Sequence, residues 1–184
     1  MTSTRNKLVS PERAALGDGF DVLDVCHRQT IFTLGKLAAL ISALQRRGPD
    51  AEARVLAAEV VRFFSTTARE HHEDEERHVF PKLLSSGNPE IVQAVQKLQH
   101  DHGWLEEDWL ELSPHLAAVA AVAAGQSWYD LDVLREGAGV FISLSQEHIA
   151  LEESLIYPEA RAQSRLAERG EMGREMAARR RAKN

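Results

Sequence analysis

The chain has 184 residues, 43% of them hydrophobic and 27% charged, ordinary for one soluble globular domain with a single sizeable core. Its single cysteine, Cys26, excludes an intrachain disulfide and a cysteine-based metal site. The longest unbroken apolar run, Leu116 to Ala124, is nine residues, whereas a bilayer span needs roughly 20.

No apolar segment follows Met1 to Lys7 that could act as a secretory signal, so the expected location is cytoplasmic. The formal charge of −6 conceals an asymmetry, because residues 161–184 carry eight Arg or Lys against three Glu, leaving −11 on the other 160. So acidic a body is a poor surface for nucleic acid, and neither a nucleic-acid nor a membrane partner is expected. Alternating β-branched runs are absent and Gly and Pro fall mostly at apparent helix ends, which predicts an all-α fold.

Residues 1–17 are polar and aperiodic and read as a loose arm. From Phe20 an apolar stripe steps by three and four through Leu23, His27, Ile31, Leu34, Ala38, Ile41 and Leu44. Arg46 to Asp50 closes this first helix and offers Asp50 as the next N-cap. A second helix carries Leu56, Val60, Phe63, Thr67, His71, Glu75 and His78 on one stripe. Pro81 should loosen its end, and Asn88 and Pro89 start the third helix.

That helix has a clean seam of Ile91, Val95, Leu98, His102, Leu105, Trp109 and Leu112, which Pro114 should interrupt or bend. After a turn at Gly125-Gln126-Ser127, a fourth helix begins near Asp130 and points Leu134, Phe141, Leu144, His148, Glu152 and Leu155 inward. Short loops favour an up-down-up-down antiparallel four-helix bundle over residues 18–166. Residues 167–184 read as a basic, frayed and solvated tail.

The chemistry concentrates in a repeated motif. His71 to Pro81 and His148 to Pro158 share His-x-x-x-Glu-Glu-x-x-x-aromatic-Pro, pairing His71 with His148, Glu75 with Glu152, Glu76 with Glu153 and Phe80 with Tyr157. A His and a Glu four residues apart leave one helix face about one turn apart. Two such pairs facing each other can hold two transition-metal ions.

Counting from each turn gives a second argument. His27 lies 21 residues before Gly48 and His71 lies 23 after it; His71 lies 16 before Gly87 and His102 lies 15 after it. His102 lies 24 before Gln126 and His148 lies 22 after it. Each neighbouring pair differs by about 3 Å of helix rise at most, so His27, His71, His102 and His148 should share one level of the interior. Burying Glu75 and Glu152 there without a cation would be expensive. Ferritin-like sites use Glu-x-x-His rather than this reversed order, and the zinc-protease motif His-Glu-x-x-His does not occur. Spacing alone leaves iron, zinc and manganese open.

With this doubled motif, residues 18–160 resemble the hemerythrin-like family, the HHE cation-binding domain, whose fold is a four-helix bundle around a non-haem di-iron centre. The resemblance implies terminal imidazole ligands at His27, His71, His102 and His148, with Glu75 and Glu152 bridging two non-haem iron ions (Fe2+/Fe3+) that share an oxo or hydroxo bridge. It implies O2, NO or peroxide as the small partner, in oxidative or nitrosative stress or in iron handling.

The sequence departs from oxygen-carrying hemerythrins in two places. Their third helix has a second His where this chain has Glu106, and their fourth has an Asp where it has Glu153, with Glu152 one position earlier. Bacterial stress-response and iron-sensing relatives are the nearer comparison, and the cysteine-containing N-terminal domain of some iron-sulphur repair members is not expected. An iron- or oxygen-sensing module without turnover, and a metal-free structural bundle, are the alternatives.

Glu106 and His78 are further candidates around the site, and Glu76 and Glu153 either orient imidazoles or are solvated. His72, His100 and His115 are expected at the surface, and Phe63, Phe64, Trp104 and Trp109 in packing positions.

Overall fold

The apolar stripes fold as helices, and among the described residues there is no strand. The computed structural model describes residues 17–121 and 129–183. Most of the N-terminal arm and the Gly125-Gln126-Ser127 turn lie outside them.

Helix α1 spans Gly19–Arg47, with the Asp18 carboxylate accepting from the Phe20 amide as its N-cap. It closes at Gly48, whose φ of +70° is a conformation that favours glycine. The predicted second helix is three pieces: α2 (Ala51–Ser65), α3 (Thr67–His78) and α4 (Phe80–Leu84). Thr66 makes the first break, its hydroxyl bonding back to the Arg62 carbonyl at 2.8 Å while its φ and ψ are −129° and −76°. Val79 makes the second, just ahead of Pro81, as the missing proline N–H requires.

Helix α5 (Pro89–Ala121) runs through Pro114 without interruption, contrary to one of the two outcomes expected there. Pro114 lies on an exposed face beside exposed Leu110, where water can satisfy the carbonyl the proline leaves free. Helix α6 (Leu131–Leu151) passes into a π-helical turn, Glu152–Ile156, and then α7 (Tyr157–Gln163). Pro158 explains that widening, since an α-helical register would clash with its ring.

The rods form a ring, with α1 against α2, α2 against α5, α5 against α6 and α6 against α1. Two apolar clusters fill it. One holds Leu34, Leu37, Val60, Phe64, Trp109, Leu116 and Phe141, among others. The other is built on Phe20, Leu23, Phe80, Leu98, Ile156 and Tyr157. The histidine and glutamate positions lie between these clusters along every rod, so the bundle is apolar above and below a polar belt.

The basic C-terminal segment is not a frayed tail. Helix α8 (Leu166–Lys183) docks along α1, burying Met172, Met176 and Ala177. At Gly173 the backbones approach so closely that a Cβ would stand 2.6 Å from the Gly17 carbonyl. Arg179 and Arg180 both clamp the buried carboxylate of Asp74, Arg169 holds Asp18, and Lys82 reaches Glu168 at 2.9 Å. The basic residues that seemed spare in sequence neutralise carboxylates of the bundle. No described helix is long and apolar enough to cross a membrane.

Candidate metal centre

Helix α1 brings His27 to the belt, α3 brings His71 and Glu75, α5 brings His102, and α6 with its π turn brings His148 and Glu152. His27, Glu75 and Glu152 are fully buried, His71 and His148 nearly so, and His102 keeps 10% of its side chain exposed.

Each carboxylate divides its two oxygens between two imidazoles. Glu152 places Oε2 3.1 Å from His27 Nε2 and Oε1 3.1 Å from His148 Nε2. Glu75 places Oε1 3.5 Å from His71 Nε2 and Oε2 3.4 Å from His102 Nε2. Two groups of potential ligand atoms result, each within 4.8 Å: His27, His71, Glu75 and Glu152, and Glu75, His102, His148 and Glu152. Both contain the same two carboxylates. The four histidines thus share one level, as the turn counting predicts.

These approaches are close but not hydrogen-bonded. Both Glu152 oxygens, Glu75 Oε2, both His71 nitrogens, both His148 nitrogens and His102 Nε2 are buried without a hydrogen-bond partner. Orphaned polar atoms cost on the order of 1–3 kcal/mol each, and native interiors hold few. Here they converge on common points, where neutral imidazole and carboxylate form a donor set suited to first-row transition ions. The residues fit a bound metal.

In the metal-free protein, burial raises the Glu75 carboxyl, aided by the negative charge of Glu152, to about 7. Burial works against ionisation of Glu152 too, but His148 and His27 outweigh it and hold the group well below the carboxylate range. Burial would lower His148, yet Glu152 and Asp101 carry it up to about 10. Burial and the neighbouring imidazoles push His71 and His72 well below their ordinary value, so both stay neutral with a lone pair available. Cys26 is buried nearby, its thiol pushed up to about 12 by burial and by Glu75, which disfavours the thiolate a metal would need.

Outer partners orient the rings. Glu153 Oε1 lies 3.1 Å from His27 Nδ1, and Glu76 Oε1 lies 3.1 Å from His102 Nδ1. The second glutamates of the two motifs therefore perform the first of the roles open to them. Asp101, not singled out in the sequence, stands 3.7 Å from His148 Nδ1; its place one residue before His102 was the available signal.

Tyr157 also goes beyond expectation. Its hydroxyl donates to Glu75 Oε1 at 2.5 Å and lies 3.1 Å from His27 Nε2, while its ring stacks on His27 at 5.0 Å. Phe80, its counterpart, stacks on His102 at 5.4 Å without a hydroxyl. Aligning the motifs exposes that substitution, though not its reach.

Four expectations change. His72 is half-buried rather than at the surface, its ring stacked 4.1 Å from that of His102. Glu106 turns to Arg69 at 3.0 Å and belongs to neither group of ligand atoms. His78 pairs with Glu175 of α8 at 2.6 Å. Trp104 is 59% exposed, whereas Trp109 and Phe64 are core residues. A small, partly open cavity of about 40 Å³ adjoins the belt, lined by His27, His71, His72 and His148 together with Phe64, Trp109 and Phe141. That volume admits only a molecule of a few heavy atoms, in mostly apolar surroundings.

Residues 18–160 match the family model described as the hemerythrin HHE cation binding domain. The chain is also 27% identical over 178 residues to an uncharacterized protein of Haemophilus influenzae, covering 96% of this chain and 99% of that relative.

Proposed function

Since the chain belongs to the hemerythrin HHE cation-binding domain family, we propose that it holds two iron ions and binds or reacts with O2, NO or peroxide. His27 and His71 are terminal ligands of one ion, His102 and His148 of the other, and Glu75 and Glu152 bridge them. The bundle is an up-down-up-down arrangement extended by α8, acting in the cytoplasm.

One observation supports this above all: six buried donors approach at 3.1 to 3.5 Å while most of their facing atoms lack hydrogen bonds. Bound iron supplies redox chemistry between its ferrous and ferric states. Imidazole retains Fe2+ and carboxylate favours Fe3+, so the mixed set tolerates the change. The protein's own contribution is positional. Glu153 and Glu76 fix two ring orientations, Tyr157 holds a proton at its hydroxyl against Glu75, and the aromatic wall of the small cavity limits water and large reductants.

The decisive experiment is anaerobic reconstitution with Fe(II), metal counting, and optical spectra during separate additions of O2 and NO. Two irons per chain are expected, with a spectrum altered by at least one of the gases. Retention of two irons after alanine replacement of both His71 and His148 would refute the ligand assignment.

A second reading, an iron- or oxygen-sensing module without turnover, is favoured by the orphaned carboxylates. Their burial makes folded stability depend on metal, so melting temperature would report iron supply. Rapid consumption of peroxide or NO would exclude it.

A further inference from the structure

We propose that His72 supplies a third imidazole to the ion beside His102 and His148, leaving the two ion positions unequal, with five protein groups at one and four at the other. The inference rests on the two-ion reading above and adds a ligand to its six.

His72 directly follows His71 on α3, and a 100° step turns it to the neighbouring face. The two rings accordingly serve opposite sides of the belt. His71 meets His27 of α1 at 4.7 Å, whereas His72 lies 4.1 Å from His102 of α5 and 5.6 Å from His148 of α6. Ligand atoms of His72, His102 and His148 all fall within 4.8 Å of one another, a limit that the two groups sharing the glutamates also meet. No such extra histidine joins His27 and His71: the residue aligned with His72 in the second motif is Ile149, which has no donor.

His72 also stands between two spaces. With Arg69 and Glu106 it lines both the small cavity and a wider, more open pocket on the surface side. A nitrogen donor placed there fills a coordination position that water would otherwise take from the outer pocket.

His72 could instead act only as a flat ring supporting His102, and phenylalanine separates the two roles because it keeps the ring and lacks the nitrogen. The test compares wild type, His72→Phe and His72→Ala, each loaded anaerobically with Fe(II). Iron release to an excess of chelator is followed, with circular dichroism as the check on fold and the visible spectrum of the Co(II)-substituted chain as a readout of coordination number. Both variants should release one ion about tenfold faster than wild type, or more, and the other at the wild-type rate. Their Co(II) spectra should change alike, and added imidazole should slow release from His72→Ala.

Wild-type release from His72→Phe, or equal acceleration of both ions, would overturn the proposal while leaving the two-ion reading intact. Only a trace of iron in the wild-type chain would instead overturn the two-ion reading and this inference with it.

Discussion

The two copies of the motif, His71 to Pro81 and His148 to Pro158, build the same frame and furnish it differently. In both, a histidine and a glutamate one helical turn apart face the belt, the next glutamate reaches an imidazole on another rod, and a proline disturbs the helix just beyond. The disturbance differs: the first copy breaks at Val79, the second widens into a π turn from Glu152. Between the shared positions the copies part company, with His72 opposite Ile149, Asp74 opposite Leu151 and Phe80 opposite Tyr157. Positions that recur bring the two carboxylates to matching places in the belt; positions that do not give each side its own chemistry.

Breaking the shared frame should have the largest effect. Glu152→Gln keeps the shape but removes the charge and one acceptor from both groups of ligand atoms, so both ions should be lost together. The metal-free protein should melt at a lower temperature, because His148, which Glu152 helps to keep protonated, loses a buried counter-charge. Metal counting and thermal unfolding of the same sample test this; metal binding at the wild-type level would contradict it.

Asp74 belongs to the first copy alone, buried under Arg179 and Arg180 of α8. Asp74→Ala removes the buried acceptor that Arg179 and Arg180 share, while Glu175 and Glu70 stay beside them, and should cost about 2 kcal/mol, with α8 exchanging its amide hydrogens faster than α5. Asp74→Asn, which can still accept hydrogen bonds, should cost less. Equal losses in urea unfolding would mean that the charge of Asp74, and not its capacity to accept hydrogen bonds, holds the helix.

Tyr157→Phe makes the second copy resemble the first. It removes the donor to Glu75, and the metal-free protein should lose about 2 kcal/mol. Two irons should still bind, since all six proposed ligands remain. The reciprocal Phe80→Tyr should bring no comparable gain, and a gain equal to the Tyr157→Phe loss would show the two sides to be interchangeable.

The smallest effect concerns pH at the edge of the docked helix. Burial tends to raise the Asp18 carboxyl, but hydrogen bonds from Arg169 and the Phe20 amide outweigh it and leave the group below its ordinary value. Its stabilisation is therefore complete above the unfolded carboxylate range, about pH 4, and is lost as pH falls through the lowered folded value. Wild type should lose more stability than Asp18→Asn across that acid window and match its pH dependence above it.

Much of this was legible in the chain because helical period and turn position fix depth. His27 and His102 stand on their stripes at distances from the turns that leave little freedom, and His71 and His148 repeat their own context. Tertiary contacts decided what sequence could not. His72 looks peripheral on its own helix and becomes interior only because α5 brings His102 against it. The break at Thr66 has no glycine or proline to announce it. The C-terminal segment has a weak apolar pattern, and its basic residues find meaning only beside Asp74 and Asp18, more than a hundred residues away in sequence.

The belt's position between two apolar clusters has a consequence for cooperativity. Each cluster is a core in its own right, and across the layer separating them the rods are joined by imidazoles and carboxylates rather than hydrocarbon. On the proposed reading, bound iron would tie four rods together at that layer, and the two cores should then unfold as one. Without it, imidazole and carboxylate atoms lacking hydrogen bonds occupy the layer and the coupling weakens. Metal removal should thus change the number of cooperative units as well as the total stability, with amide exchange in the cluster around Leu37 and Leu116 uncoupled from that around Leu23 and Leu98.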